Sequence, residues 1–101
     1  MPHSFQLLLV KSSESAHVYS ATYGQDVPSF LLLDEATGTV QVCDGQGNPI
    51  GDMMLRAGTG NVENPVDDPV EAEKFTMASA HLLSRWRKTG AAPAEIVKFF
   101  S

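Results

Sequence analysis

The stretch Asp68–Gly90, DPVEAEKFTMASAHLLSRWRKTG, carries the signals that decide the predicted fold. Asp68 can accept hydrogen bonds from the free N–H groups of a first helical turn, and Pro69 suits the first helical position. Glu71 follows Asp68 at the spacing of a capping box, in which two residues bond the helix start reciprocally. Gly90 can take the left-handed conformation that ends many helices. The stretch therefore predicts a long helix with a defined start and end.

One face of this helix is suited to burial. With about 3.6 residues per turn, a single face collects the residues Ala72, Phe75, Ala78, Ser79, Leu82, Leu83 and Trp86. Glu71 and Glu73 lie near the positive end of the helix dipole, while Arg85, Arg87 and Lys88 lie near its negative end. The pattern predicts a helix that packs on a core and complements its own dipole.

The residues before the helix predict an antiparallel β-meander. In His17–Tyr23, side chains alternate with the period of two that is typical of a half-buried strand. Gly-containing turns at Asp34–Gly38 and Asp44–Asn48 are typical of hairpin connections. The polar stretch Lys11–Ser15 is predicted to join the first two strands. The predicted strands are Ser4–Val10, His17–Tyr23, Ser29–Leu33, Thr39–Cys43 and a weaker fifth strand, Pro49–Arg56.

The remaining segments connect to the helix and follow it. Residues 57–67 contain Gly, Asn and Pro at several positions and are predicted to form a connecting loop. Pro93–Phe100 is predicted to be a short second helix that begins at Pro93. The expected architecture is a single α+β domain over residues 1–101. A meander of four or five strands occupies residues 1–56, and the helices of residues 68–100 pack on one face of the sheet.

Composition indicates a small globular protein. A chain of 101 residues is long enough for one hydrophobic core, and its aliphatic runs fall far short of the ~20 residues that span a bilayer. The N-terminal residues lack the basic start and the cleavage site of a signal peptide. Cys43 is the single cysteine, which excludes an internal disulfide and indicates a reducing compartment. We expect a cytoplasmic protein.

Charge is segregated along the chain, which has a net charge of −5. Residues 26–73 hold ten acidic residues against Arg56 alone, whereas residues 74–101 hold five basic residues against Glu95. One interpretation is that acids solubilise the loops and sheet edges while the helix charges complement the dipole. The other interpretation is a bipolar surface that binds a charged partner or associates head to tail.

Nucleophilic catalysis has one candidate thiol, that of Cys43. Its imidazole partners can only be His3, His17 or His81. Such catalysis needs a base within hydrogen-bond reach and usually a third group that orients the base. A lone cysteine in a strand is more often a small packing residue. We therefore expect no catalytic site and no enzymatic activity.

The loops offer weak candidates for binding a metal or a phosphate. The histidines are far apart in sequence and do not form a zinc motif. Asp44, Asn48 and Asp52 surround a turn, but their spacing differs from that of an EF-hand. Gly58–Asn61 is Gly-rich, yet no Lys follows it, and Asp67 and its acidic neighbours would repel an anion. We expect neither a metal nor a cofactor.

The outer side of the predicted helix carries a basic stripe. On a helical wheel Lys74, His81, Arg85 and Lys88 fall within about 60° of one another. A solvated helix face, a protein-contact surface and a weak phosphate-binding surface all fit this pattern. Direct nucleic-acid binding is disfavoured, because the chain is acidic and no aromatic residue lies on the stripe for base stacking.

These patterns favour a small acidic intracellular protein-binding module without catalysis, such as an inhibitor, an immunity-type protein or an anti-defence protein of bacterial or phage type. Its partner would be another protein with a basic surface, met by the acidic residues Asp34, Glu35, Asp67 and Asp68. One alternative is a structural homo-oligomer, such as a homodimer, that docks through Ile96, Phe99 and Phe100. The other is a small ligand-binding protein or enzyme that uses a sheet–helix pocket with Cys43, His17 or Tyr19.

Overall fold

The computed structural model describes residues 3–24 and 28–100; the side chains of residues 3 and 98–100 are outside that description. One antiparallel sheet of seven strands and one helix account for the regular structure of these residues, which confirms the predicted α+β class. None of the helical structure described is long and apolar enough to cross a membrane. The elements are β1 (His3–Ser13), β2 (Ala16–Tyr23), β3 (Ser29–Asp34), β4 (Thr39–Cys43), β5 (Pro49–Arg56), β6 (Val62–Glu63), α1 (Pro69–Thr89) and β7 (Glu95–Phe100).

Helix α1 begins and ends where its sequence signals predict. The Asp68 carboxylate accepts a hydrogen bond from the Val70 N–H at 2.9 Å. Gly90 adopts a left-handed conformation with φ 77°, and its N–H donates to the Trp86 carbonyl at 2.7 Å. Glu71 lies 3.7 Å from the Lys74 ammonium, one turn along the helix. Both caps of the predicted helix are therefore confirmed.

The sheet follows the order β6-β5-β4-β3-β2-β1-β7, so the C-terminal strand pairs with the N-terminal one. Cross-strand pairing aligns His17, Leu33, Val40 and Leu55 in one row across four strands. Helix α1 packs on this face, and its buried residues are Phe75, Ala78, Ser79, Leu82 and Leu83. The core therefore lies between one face of the sheet and one face of the helix.

The turn Asp44–Asn48 covers part of the opposite sheet face. The Asp44 carboxylate accepts hydrogen bonds from the N–H groups of Gln46 and Asn48, at 2.8 and 2.9 Å. A Cβ at Gly47 would lie 3.1 Å from Val18 Cγ2, so the turn approaches the sheet closely. This contact buries Val18, while Leu8 and Val97 on the same face are 38% and 40% exposed. Near β1 and β7, this face of the sheet is therefore more exposed than it is at Val18.

The predicted second helix at Pro93–Phe100 is wrong, because residues 95–100 form strand β7. The segment pairs with β1 and places Ile96 opposite Leu7, where Ile96 is buried in the core. An isolated helix of this length is not stable in water, whereas the open edge of β1 satisfies the segment's backbone groups at once. A short apolar run has no periodicity that distinguishes the two outcomes.

The prediction of four or five strands is also wrong, since the sheet has seven. The additional strands are β7 and the two-residue β6, which lies inside the predicted 57–67 loop and pairs with Met54 and Leu55. A strand of two residues has no sequence period, and its partner strand alone defines it. Strand β1 also continues to Ser13, past a bulge between Leu9 and Lys11, into the predicted polar connection.

Candidate functional site

A hydrogen-bonded network joins the sheet to the helix through the Glu35 carboxylate. Glu35 Oε2 lies 2.7 Å from His17 Nε2, and Glu35 Oε1 accepts a hydrogen bond from the Trp86 indole N–H at 2.8 Å. His17 Nδ1 lies 2.8 Å from the Ser12 hydroxyl oxygen. One carboxylate thus connects β1, β2, the β3–β4 turn and α1.

The β3–β4 turn places Glu35 for this role. The Glu35 N–H donates to the Ser15 carbonyl at 2.8 Å, and the Gly38 N–H donates to the Asp34 carbonyl at the same distance. Gly38 has φ 68°, and a Cβ there would lie 3.8 Å from the Trp86 ring, so the indole packs on the turn. The hydrogen bond with His17, followed by that from Trp86, holds the pKa of the Glu35 carboxyl below its ordinary value.

Ser12, His17 and Glu35 have the connectivity of a nucleophile, a base and an orienting acid. The Ser12 hydroxyl lies 2.8 Å from His17 Nδ1, and the Glu35 carboxylate lies 2.7 Å from His17 Nε2. A catalytic relay also needs a space in which a substrate can lie beside the nucleophile. Neither Ser12 nor His17 lines the clefts beside α1 or the smaller cleft at Ser4–Gln6. Because Glu35 bonds His17 on the sheet and Trp86 on the helix, we interpret the network as one that fixes the helix on the sheet.

Cys43 is a poor nucleophile in this environment. It is 2% exposed, and burial, with a smaller contribution from Asp44, raises the pKa of its thiol to about 11. Strand β3 separates Cys43 on β4 from His17 on β2. The His3 side chain lies outside the described residues. Among the described residues, no group of three His, Cys, Asp or Glu side chains is placed to hold a metal ion.

Two clefts flank the C-terminal half of α1. The first, which we call the turn-side cleft, has a volume of about 630 Å³ and lies between α1 and the end of β5. Its walls include Leu55, Ala57, Gly58, Gly60, Leu83 and Arg87. The second, the edge-side cleft, has a volume of about 450 Å³, lies between α1 and β7, and includes His81, Arg85 and Ile96. Ala80, Ser84 and Lys88 line both clefts.

We call Arg85, Arg87 and Lys88 the cationic end of α1. All three are exposed, and none forms an ion pair with another residue in the described part of the chain. Arg56 also lines the turn-side cleft, but its guanidinium donates to the Glu63 carboxylate at 3.1 Å. Three cations thus lie beside two clefts in a protein whose net charge is −5.

The structure divides the predicted basic stripe into two halves. Lys74 lies 3.7 Å from the Glu71 carboxylate and 5.7 Å from the Tyr23 ring centroid. His81 packs edge-to-face on Phe5 with ring centroids 5.3 Å apart. Only Arg85 and Lys88 of the stripe belong to the cationic end. Arg87 completes it, although the helical wheel alone leaves this residue off the stripe.

The Gly-rich segment Gly58–Asn61 has a different neighbourhood from the one its sequence suggests. A Cβ at Gly58 would lie 3.9 Å from Arg87 Nη1, so the segment approaches the cationic end. Asp67 and Asp68 precede the first turn of α1 and therefore lie at the opposite end of the helix. No Lys follows this segment in the sequence, but Arg87 of α1 lies beside it in the fold. Sequence spacing gives no signal of this proximity.

Most of the predicted acidic contact residues have hydrogen-bonding roles within the fold. Asp34 Oδ1 accepts from the Ala36 N–H at 2.9 Å, Asp68 caps α1, and Glu35 binds His17 and Trp86. Asp67 is exposed.

The C-terminal contact candidates Ile96, Phe99 and Phe100 all lie on β7. Ile96 is buried, and the side chains of Phe99 and Phe100 lie outside the described part.

No protein-family model, no curated protein and no solved structure matches this chain.

Proposed function

We propose that this protein is a small binding module without catalysis, which acts as an inhibitor, an immunity-type protein or an anti-defence protein by binding another protein. Its binding surface is the cationic end of α1 with the two clefts beside it, and its ligand is an acidic segment of the partner. The observation that carries this proposal is the group of exposed cations, Arg85, Arg87 and Lys88, without acidic partners among the described residues.

The sign of the charge supports an acidic ligand. The protein has a net charge of −5, yet its cationic end presents positive charges close together on the last turns of one helix. Part of this charge offsets the negative end of the helix dipole, which is equivalent to about half an elementary charge. The remaining positive potential attracts an acidic segment and repels a basic one.

The lining of the turn-side cleft supports a ligand that is also apolar. Leu55, Ala57 and Leu83 line it beside the cations. Its volume of about 630 Å³ lies within the ~300–1,000 Å³ range of small-ligand pockets. A peptide that carries both carboxylate and aliphatic side chains matches this combination of surfaces.

The acidic residues are less suited to be the main contact surface. Asp34, Glu35 and Asp68 already accept hydrogen bonds that hold turns and the helix start. A carboxylate that binds a partner would have to share or give up these bonds. The cations at the other end of α1 have no such competing bonds with the residues that the structure describes.

A matched pair of charge reversals tests the proposal. The probe is a fluorescein-labelled peptide of alternating Glu and Val residues, and its binding is measured by fluorescence anisotropy at low ionic strength. Lys88→Glu changes a residue that lines both clefts, whereas Lys11→Glu makes the same change in net charge at an exposed position on β1. We expect Lys88→Glu to weaken binding by about tenfold or more, equivalent to about 1.4 kcal/mol, and Lys11→Glu to change it far less.

A counterpart peptide of alternating Lys and Val residues should not bind. Equal losses of affinity in the two variants would show that only the overall charge matters and would contradict the assigned surface. Absence of binding to the Glu–Val peptide would remove the proposal itself. Sedimentation at micromolar concentration tests the alternative of a homo-oligomer, for which the measured mass would be a multiple of 10.9 kDa.

A further inference from the structure

Strand β7 forms one edge of the sheet, with β1 as its sole neighbour among the described strands. The two edges of the sheet differ in how they are protected. At the other edge, β6 has only two residues, Glu63 binds Arg56, and Pro65 follows shortly after. Short strands, charges and prolines protect an edge from pairing with another chain. β7 also carries charges, at Glu95 and Lys98, and Pro93 precedes it by two residues, so the edges differ mainly in length: β7 has six residues and no proline within it.

The pairing of β7 with β1 shows which of its backbone groups point outward. The Leu9 N–H donates to the Ala94 carbonyl at 2.9 Å, so Ala94 directs its carbonyl toward β1. Hydrogen-bonded and non-hydrogen-bonded pairs alternate along an antiparallel ladder. In the observed register Ile96 lies opposite Leu7, two residues after Ala94, so its backbone N–H and carbonyl also point inward, toward β1. The backbone N–H and carbonyl groups of Glu95, Val97 and Phe99 point the other way, outward from the edge of the sheet.

The surfaces on the two sides of this edge differ in chemistry. On the helix side, the edge-side cleft lies between Ile96 of β7 and the Arg85 and Lys88 side chains of α1. On the other side, Leu8 and Val97 are 38% and 40% exposed. A strand added along β7 would direct alternate side chains to the two sides, with residues on one side about 6.6 Å apart. Acidic residues would suit the helix side, and aliphatic residues would suit the other.

We infer that the partner's acidic segment binds as an additional β-strand along β7, with acidic residues at alternate positions directed into the edge-side cleft. The inference rests on the proposed function, since it uses two of the same cations, Arg85 and Lys88. It adds the mode of binding and narrows the contact to the edge-side cleft and the edge of β7, leaving out the turn-side cleft beside β5. Outward backbone groups of β7 provide main-chain hydrogen bonds, and Arg85 and Lys88 select the acidic side chains. This is strand addition, in which the backbone gives affinity and alternate side chains give specificity.

The test is the variant Val97→Pro with Val97→Thr as its matched control. Proline removes the outward N–H of residue 97, while the inward bonds of its neighbours to β1 stay in place. Threonine keeps that N–H and the branched Cβ. With the Glu–Val peptide as the probe, we expect Val97→Pro to weaken binding about tenfold or more and Val97→Thr to change it little. Circular dichroism of the free variants checks that both retain the fold.

Hydrogen exchange of the unmodified protein gives a second readout that needs no substitution. The amides of Glu95, Val97 and Phe99 should exchange rapidly in the free protein and at least about tenfold more slowly when the Glu–Val peptide is in excess. The inward amide of Ile96 serves as the control, because it is already bonded to β1.

The outcomes separate this inference from the proposed function. Loss of binding in both Val97→Pro and Lys88→Glu, with slowed exchange on β7, supports strand addition. Normal binding by Val97→Pro together with loss in Lys88→Glu would overturn strand addition and leave the cationic surface in place. No binding by the unmodified protein would overturn the proposed function. Formation of a dimer that Val97→Pro abolishes would show that the edge receives a second copy of this chain, and this too would overturn the inference.

Discussion

Glu35 holds α1 on the sheet, and Glu35→Gln tests this directly. One carboxylate oxygen is hydrogen-bonded to the His17 ring at 2.7 Å, and the other accepts from the Trp86 indole N–H at 2.8 Å. Glutamine has nearly the same size, but an amide NH2 group replaces one acceptor oxygen, so it can accept a hydrogen bond from only one of the two partners. The change also removes the charge that strengthens the surviving hydrogen bond.

The expected loss of stability follows from these two bonds. Hydrogen bonds to a charged group contribute about 1.5–3 kcal/mol each. The Glu35 side chain is 28% exposed, so water replaces part of what is lost. We therefore expect Glu35→Gln to lower the free energy of unfolding by about 2–4 kcal/mol, a large share of the ~5–15 kcal/mol typical of a small domain. The melting temperature should fall by roughly 10–30 °C.

Urea unfolding at neutral pH measures the effect, with Asp67→Asn as the matched control. Asp67 is exposed and makes no hydrogen bond or ion pair among the described residues, so its substitution should stay within about 0.5 kcal/mol of the unmodified protein. A double-mutant cycle of Glu35→Gln with Trp86→Phe should show a coupling energy of about 1 kcal/mol or more. Equal stabilities of Glu35→Gln and Asp67→Asn would refute the structural role assigned to this carboxylate.

Three further predictions concern buried and titrating groups. The Ser79 hydroxyl is fully buried and has no hydrogen-bond partner among the described residues. Urea unfolding should therefore show that Ser79→Ala raises the free energy of unfolding by about 0.5–2 kcal/mol, whereas a loss of stability would show that the hydroxyl has a partner. The pKa of the Glu35 carboxyl is lower in the folded protein than its ordinary value of about 4.3, so its contribution to stability is fully present above that ordinary value and is lost as pH falls through the lowered one. Glu35→Gln should therefore flatten the acidic part of the stability–pH curve, and parallel curves for the two proteins would contradict this prediction. Burial raises the pKa of Cys43 to about 11, so a disulfide reagent at neutral pH should label the native protein far more slowly than the urea-unfolded protein, and equal rates would show that the thiol is accessible.

Local signals in the sequence predict the elements that local physics stabilises. Helix α1 has a cap at Asp68, a stop at Gly90 and one continuous apolar face, and all three act within a few residues. The turn Asp44–Asn48 is likewise determined by its own side-chain bonds, which Asp44 accepts. For such segments the sequence alone is sufficient to predict the structure.

Elements that depend on distant partners could not be predicted in the same way. Strand β7 forms because β1, some ninety residues earlier, has an open edge. The bond between Glu35 and Trp86 joins residues 51 positions apart, and no local pattern indicates it. Three-dimensional packing determines these features through pairing partners that a linear pattern does not specify.

The candidate site shows the same division. The wheel of α1 predicts a basic stripe but cannot separate Lys74 and His81, which pack against Tyr23 and Phe5, from the exposed cations. The clefts exist only because the end of β5 and strand β7 lie on either side of the helix. Charge was therefore predictable, whereas its position beside two clefts was not.

The most direct measurement of the central claim is an NMR titration of the ¹⁵N-labelled protein with the Glu–Val peptide. The account predicts that amide shifts change at Arg85, Lys88 and along β7, and that the changes diminish as salt is added, because exposed charges are screened. Shift changes confined to the acidic start of α1 near Asp67 and Glu71, or no changes at all, would contradict it.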